Sequence, residues 1–279
     1  MIPPFVLIFL FFSCVSLSVK GKLLGKISSF FFCPASGYFR SCYGETMNFN
    51  FTIRSMADLI DAVNRFGILP YFANSIPGFS VEEHCTPTAL WSDTGDDSWA
   101  WKGPVIQATG CAYGKFFLKK AAYVSRDWFP DLANYRRDGY DFDARYDDGL
   151  AKYQDKELYD LIDENAPVLS KVLRTNGGYA YSNRFGRKTE GKKGFDATVT
   201  RLQEQCYVII SDFVYSMDKH GVKRGWGVAQ YNTPEKFMGS AFTDTVYQRA
   251  PEESYDRLLN YLASLLPWAG EKELEKFLG

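Results

Sequence analysis

Residues 194–231 read GFDATVTRLQEQCYVIISDFVYSMDKHGVKRGWGVAQY, and their pattern decides the fold. Phe195, Val199, Leu202 and Cys206 recur at helical spacing, which predicts one buried stripe on a helix. Ala197, Thr198, Thr200, Arg201 and Gln205 fall on the opposite face. YVIISDF then reads as a strand. MDKHGVKRG reads as a polar turn carrying Lys219, His220, Lys223 and Arg224. WGVAQY reads as a returning strand.

Upstream, KELYDLIDEN at 156–165 has Leu158, Leu161 and Ile162 on one face, as a short amphipathic helix requires. PVLSKVLRTNGG at 167–178 reads as a second helix, with Pro167 in its first turn and Gly177 at its end. Three helices, a strand, a basic turn and a strand follow the order of a winged helix-turn-helix. In that unit the third helix enters the major groove and the wing meets phosphates. Arg suits guanine, Thr a thymine methyl and Gln an adenine edge. The residues expected to contact duplex DNA are therefore Arg184, Arg187, Lys188, Lys192, Lys193, Thr198, Arg201, Gln205, Lys219, Lys223 and Arg224. Winged helices also bind other proteins, and that reading stands beside the DNA one.

Working outward, SMADLIDAVNRF at 55–66 predicts a helix capped by Ser55 and ended by Gly67. PEESYDRLLNYLASLLPWAGEKELEKFLG at 251–279 predicts two helices, with Tyr255, Leu258, Leu259, Leu262 and Leu266 inward. The expected architecture is mainly α in an α+β frame. A leader or upstream segment at 1–46 precedes an N-terminal α-rich subdomain at 47–150. A winged helix-turn-helix with a short β-hairpin wing follows at 151–235, and a C-terminal helical segment at 236–279.

Phe5 to Val19 is apolar but short for a bilayer span, and no positive charge precedes it. It is read either as lying ahead of a true start at Met47 or Met56, or as a leader that exports the chain. On the first reading the protein is cytoplasmic, with no stable membrane association. The body holds Cys85, Cys111 and Cys206, a poor disulfide framework.

With 279 residues, 46% apolar and 23% charged, the chain has the composition of a globular protein. The net charge of −1 excludes a uniformly basic coat. It conceals two opposed blocks. Residues 138–164 hold ten Asp or Glu against Arg145, Lys152 and Lys156, a net of −7. Residues 171–201 hold eight Lys or Arg against Glu190 and Asp196, a net of +6. Tyr135, Arg136 and Arg137 either clamp DNA or pair with the acidic block.

LWSDTGDDSWAWKGP at 90–104 interleaves Trp91, Trp99 and Trp101 with Asp93, Asp96 and Asp97. Asp-Thr-Gly-Asp-Asp is turn composition, so the tryptophans read as core plugs around a capped turn. The functional alternative is a pocket for an extruded base, with the three Asp as candidate catalytic carboxylates. A divalent-ion site is a third reading of three close carboxylates. His84-Cys85 lacks partners at zinc spacing, and neither metal nor cofactor is expected. His220 is placed in the wing, and Cys111 reads as a buried structural thiol.

GKFF-KKAAYVSRDWFP-LANYRRDGYDFD, the helix of GKKGFDATVTRLQ and GWGVAQY together resemble the AlkZ-related proteins over roughly 47–279. These are bacterial relatives of AlkZ-type alkylpurine DNA glycosylases, whose folds are built from winged-helix units. The resemblance implies DNA binding, and excision of alkylated bases or unhooking of crosslinks in DNA repair. The family's catalytic motif, Gln-x-Gln or Gln-x-Asp, follows the first helix in a Leu-Gly-hydrophobic context. Here that context is FGILPYF at 66–72, with Pro70 and Phe72 where the polar pair would sit. Neither positions a water or stabilises an oxocarbenium-like sugar, so the expectation is a duplex-DNA binder diverged from base excision. An active glycosylase using the Asp/Trp stretch is the alternative.

Overall fold

Residues 49–180, 190–221 and 223–279 are described by a computed structural model, in which Glu45–Gly279 form one compact unit. The candidates Arg184, Arg187 and Lys188 lie outside the described residues, as does the segment 1–46.

The described residues open with α1 (Met56–Phe66) and β1 (Ile68–Pro70). Two single turns, α2 (Val81–His84) and α3 (Pro87–Leu90), precede α4 (Lys102–Thr109). β2 (Ala112–Phe117) and β3 (Lys120–Val124) make a hairpin leading to α5 (Phe129–Arg137) and α6 (Phe142–Asp147). Then come α7 (Tyr153–Asn165), β4 (Val168–Leu169), α8 (Ser170–Asn176) and α9 (Phe195–Glu204). A long hairpin, β5 (Ile209–Met217) and β6 (Lys223–Asn232), follows. α10 (Pro234–Met238), α11 (Ser240–Thr243), α12 (Pro251–Leu265) and α13 (Glu271–Leu278) close the chain.

The strands form one antiparallel six-stranded sheet in the order β1-β3-β2-β5-β6-β4. The protein is thus α+β, with a sheet larger than a mainly α reading allows. The segment expected to be α-rich contributes β1, β2 and β3, and β2 joins β5 through Tyr113 opposite Ile210.

The first helix forms as its sequence predicts. Ser55 Oγ accepts from the Asp58 N–H, and the Asp58 carboxylate accepts from the Ser55 N–H. Such a reciprocal cap is worth about 1 kcal/mol. Phe195, Val199, Leu202 and Cys206 are all buried, as the α9 stripe requires.

Two local expectations are corrected. Pro167 does not open a helix: Val168 and Leu169 pair with Tyr231 and Gln230 of β6, and the helix starts at Ser170. The hairpin is not short: its strands run nine and ten residues and take in much of the stretch read as turn. Its root at Ile209–Ser211 is buried and its far end is exposed.

α5 holds the helices to the sheet. Asp131, 4% exposed, accepts from Ser254 Oγ and from Arg257 Nε of α12. Arg137, 1% exposed, donates to Glu235 Oε1 at 2.7 Å, to Tyr247 Oη at 3.0 Å and to the Cys206 carbonyl at 2.8 Å. Its guanidinium also lies over Tyr207 and Phe242. Both sequence readings of 135–137 are therefore replaced. Arg137 pairs with Glu235, outside the 138–164 block. Tyr135 and Arg136 donate to the carbonyls of Gly279 and Leu278. These partners lie within the chain.

Removing one member of a buried ion pair strands the other. Arg137→Met should lower unfolding free energy by about 3 kcal/mol, read from urea-denaturation midpoints.

Candidate active site and nucleic-acid interface

The Asp/Trp stretch is divided by the fold. Asp97 is buried and spends its carboxylate on the turn, Oδ2 accepting from the Ser92 N–H at 3.1 Å and Oδ1 from the Ala100 N–H at 2.9 Å. Asp96 Oδ1 accepts from Trp101 Nε1 at 2.5 Å, and Trp101 is buried in the core. Asp93 stays exposed on the turn. Turn capping thus occupies Asp97, the Trp101 indole occupies Asp96, and the three carboxylates form no ion-binding group. Among the described residues no group of three or more His, Cys, Asp or Glu is placed to hold a metal ion. Asp96 and Trp101 instead border a shallow surface depression with Arg54, Thr88 and Ser92.

Trp91 and Trp99 face elsewhere, and they meet a residue that sequence reading did not select. Trp226 of β6 lies 5.8 Å from Trp91 and 6.0 Å from Trp99 between ring centroids. Trp91 and Trp226 are 59% and 63% exposed, far more than indoles in a protein core. Trp99 is half-buried and reaches Phe72 at 6.4 Å.

Beneath these rings lies Lys102, also missed in the sequence. It is the first residue of α4 and only 3% exposed. Its Nζ sits 3.1 Å from the centre of the Trp99 ring and 4.2 Å from that of Phe213. No ion pair to Lys102 is found among the described residues. Burial pushes its ammonium down to about 7, with the Asp97 carboxylate pulling the other way. The ring faces also favour the cation, and the start of α4 opposes it. The signal available in the sequence was Trp99-x-x-Lys102-Gly103, a lysine one helical turn from an indole.

Gly103 permits this packing. A Cβ there would stand 2.4 Å from Asp212 Oδ1 and 3.2 Å from the Phe213 nitrogen. The bare backbone lets α4 lie against β5, and Gln107 Nε2 donates to the Ser211 carbonyl at 2.7 Å.

The expected DNA-reading helix is largely covered. Thr198 is 2% exposed and Thr200 is 9% exposed. Gln203 is buried, and its Oε1 accepts from the Lys115 N–H where the β2–β3 register shifts. These three side chains pack inward, not into a groove. Arg201 Nη2 donates to Asp155 Oδ1 at 2.5 Å, and its Nε to Oδ2 at 3.2 Å. Asp155 is itself buried, so Arg201 is the cation that compensates it. Gln205 is the C-cap residue of α9, and its Oε1 is buried without a partner. Thr198 is thus turned inward, Arg201 is engaged with Asp155, and the Gln205 amide oxygen faces inward.

Lys192 and Lys193 remain exposed at the start of α9, though Lys192 pairs with Glu157 at 2.5 Å. Lys219, Lys223 and Arg224 are exposed at the hairpin's far end. Lys223 lies over Tyr215, and Arg224 binds Asp218. His84 is held by the carbonyls of Phe51 and Gly78, as an incidental histidine would be. Cys111 and Cys206 are buried thiols pushed up to about 12. No helix among the described residues is long and apolar enough to cross a membrane.

The fold defines an α+β protein with a lysine and three indoles gathered where a helix meets a long β-hairpin. Its sequence places it further. The family described as AlkZ related matches residues 53–279, and the chain belongs to that family, a group related to DNA-repair glycosylases. No curated protein and no solved structure gives a match.

Lys102 makes stability depend on pH. Unfolded, its amine holds a proton up to its ordinary value near 10.5, whereas folded it releases the proton near 7. Between those values the unfolded chain binds more protons, so stability rises as pH is raised. Lys102→Met should stabilise the protein by about 2–4 kcal/mol at pH 7, and the gap should close toward pH 10. Urea melts at several pH values read this directly. Gly103→Ala should cost about 1–3 kcal/mol in the same assay, because α4 must retreat from β5.

Proposed function

We propose that the chain is a duplex-DNA-binding member of the AlkZ-related family that has diverged from base excision by the family's glutamine mechanism. One observation carries this reading. Lys219, Lys223 and Arg224 project on an exposed hairpin whose next residues lead into the open cluster of Trp226, Trp91 and Trp99. Cations that meet phosphates beside rings that stack on bases are the two elements of nucleic-acid contact.

Residues 151–235 are proposed to be a winged-helix unit. The order α7, β4, α8, α9, β5, β6 and the strand arrangement β4–β6–β5 support it. The covered state of α9 shifts the proposed contact from helix-in-groove reading to the hairpin and the α9 start, with Lys192 and Lys193. Affinity then comes chiefly from phosphates, with little base preference. Arg184, Arg187 and Lys188 stay in the proposed set on their charge alone.

Pro70 and Phe72 support the loss of the family reaction. Pro70 is buried in β1, an edge strand, and Phe72 packs toward Trp99. The Asp93, Asp96 and Asp97 alternative for excision is not favoured, because Asp97 is spent on the turn and Asp96 on the Trp101 indole.

The test is a salt-titrated binding assay on duplex DNA, run beside base release from alkylated duplex. Binding without release is expected. Release would restore the glycosylase reading, and no binding at low salt would favour a protein partner. Lys219→Ala, Lys223→Ala and Arg224→Ala together should weaken all duplexes alike. They should also lower the slope of log affinity against log salt by about 2–3.

A further inference from the structure

The aromatic cluster encloses a group that DNA binding does not need. Lys102 is a primary amine, buried, with no carboxylate partner among the described residues and two ring faces against its Nζ. A structural lysine either pairs with an acid or carries its nitrogen to water. This one has no acid partner among the described residues, and two ring faces enclose its side chain. Its amine is also held partly uncharged near neutrality, because burial lowers its proton affinity to about 7. An uncharged amine is a nucleophile for carbonyl carbon.

The surroundings name the carbonyl. The amine lies against the half-buried Trp99, whose ring stands 6.0 Å from that of the exposed Trp226. An indole fills a gap in a base stack, and every base neighbour offers a π face to it. Cations at 219, 223 and 224 on the same hairpin suit a phosphate backbone on either side. A strand that has lost one base has such a gap, and its sugar opens to an aldehyde at C1′.

We propose that Lys102 is a nucleophilic residue that forms an imine with the C1′ aldehyde of an abasic site in DNA and promotes strand cleavage there. The Nζ lone pair attacks C1′, and the carbinolamine loses water to give a protonated imine. A C2′ proton passes to solvent water, and its electron pair forms the C2′–C3′ double bond. The C3′–O bond breaks, and the phosphate leaves as the 5′ end of the downstream strand. Hydrolysis of the imine takes back one water and frees the amine. No oxidant, reductant or metal enters the balance.

This inference rests on the DNA-binding reading, and the experiment separates the two. The full chain is incubated with duplex DNA carrying one abasic site, and borohydride is added to reduce any imine to a stable amine link. Binding to the same duplex is measured without borohydride. Wild type should give a covalent adduct and a cleaved strand. Lys102→Met, which keeps an unbranched apolar filler among the rings, and Lys102→Arg, which keeps the charge, should each lose the adduct by about two orders of magnitude while still binding the duplex.

An adduct that persists in both variants overturns Lys102 as the nucleophile. Binding by wild type with no adduct overturns the imine chemistry and leaves the DNA reading standing. Neither binding nor adduct overturns both. Equal trapping of free 2-deoxyribose 5-phosphate at the same concentration overturns DNA as the substrate class.

Discussion

A guanidinium with almost no access to water sits at the junction of the sheet and the helices. Arg137 reaches from α5 to the Cys206 carbonyl, in the turn between α9 and β5. Cys206 has φ +61°, a left-handed conformation that costs a non-glycine residue roughly 1–2 kcal/mol. The turn aims β5, β5 carries β6, and β6 carries Trp226 and the exposed basic end. Glu235 compensates the charge, while Tyr247 accepts from Arg137 and donates to the Tyr140 carbonyl. Tyr207 donates to that same carbonyl. A fixed charge therefore specifies the geometry of one turn, and the turn specifies where the hairpin points.

The opposed charge blocks find much of their meaning inside the molecule. Arg201 meets Asp155, Lys192 meets Glu157 and Lys236 meets Asp163. Two of these pairs, Arg201–Asp155 and Lys192–Glu157, join the basic block to the acidic one, and the third brings Lys236 of α10 to the acidic block. The exposed pairs add little stability each, but the buried Asp155 makes its pair obligatory. Summing charge along the sequence could not distinguish a cation spent on a neighbour from one left for a ligand.

What was legible in the sequence had a local cause. Ser55 and Asp58 cap α1 within one turn. The α9 stripe repeats at helical spacing, and both ends of the hairpin carry their own turn residues. β2 and β3 were illegible for an equally physical reason. β2 is buried on both faces except at Lys115, so AYGKFF lacks the alternation that betrays a half-buried strand. The candidate site fared similarly. Trp91 and Trp99 were selected, but Trp226 lies more than a hundred residues on and is brought to them only by pairing in the sheet. Lys102 has one local signal, the indole three residues before it, but only the packing of Gly103 against β5 shows that the side chain is enclosed.

Pro70 and Phe72 gain a second sense from this enclosure. A polar pair at that place would bring water and hydrogen-bond partners toward Trp99. Proline instead removes an N–H at an edge strand, where the ladder tolerates the loss. Phe72 adds an apolar ring to the same wall. Phe72 thereby backs the Trp99 ring over which the Lys102 ammonium lies. On the proposed reading, this apolar wall stands where the family's glutamine pair would orient water, so the place that would carry the family reaction and the surroundings of the lysine are shaped by the same rings.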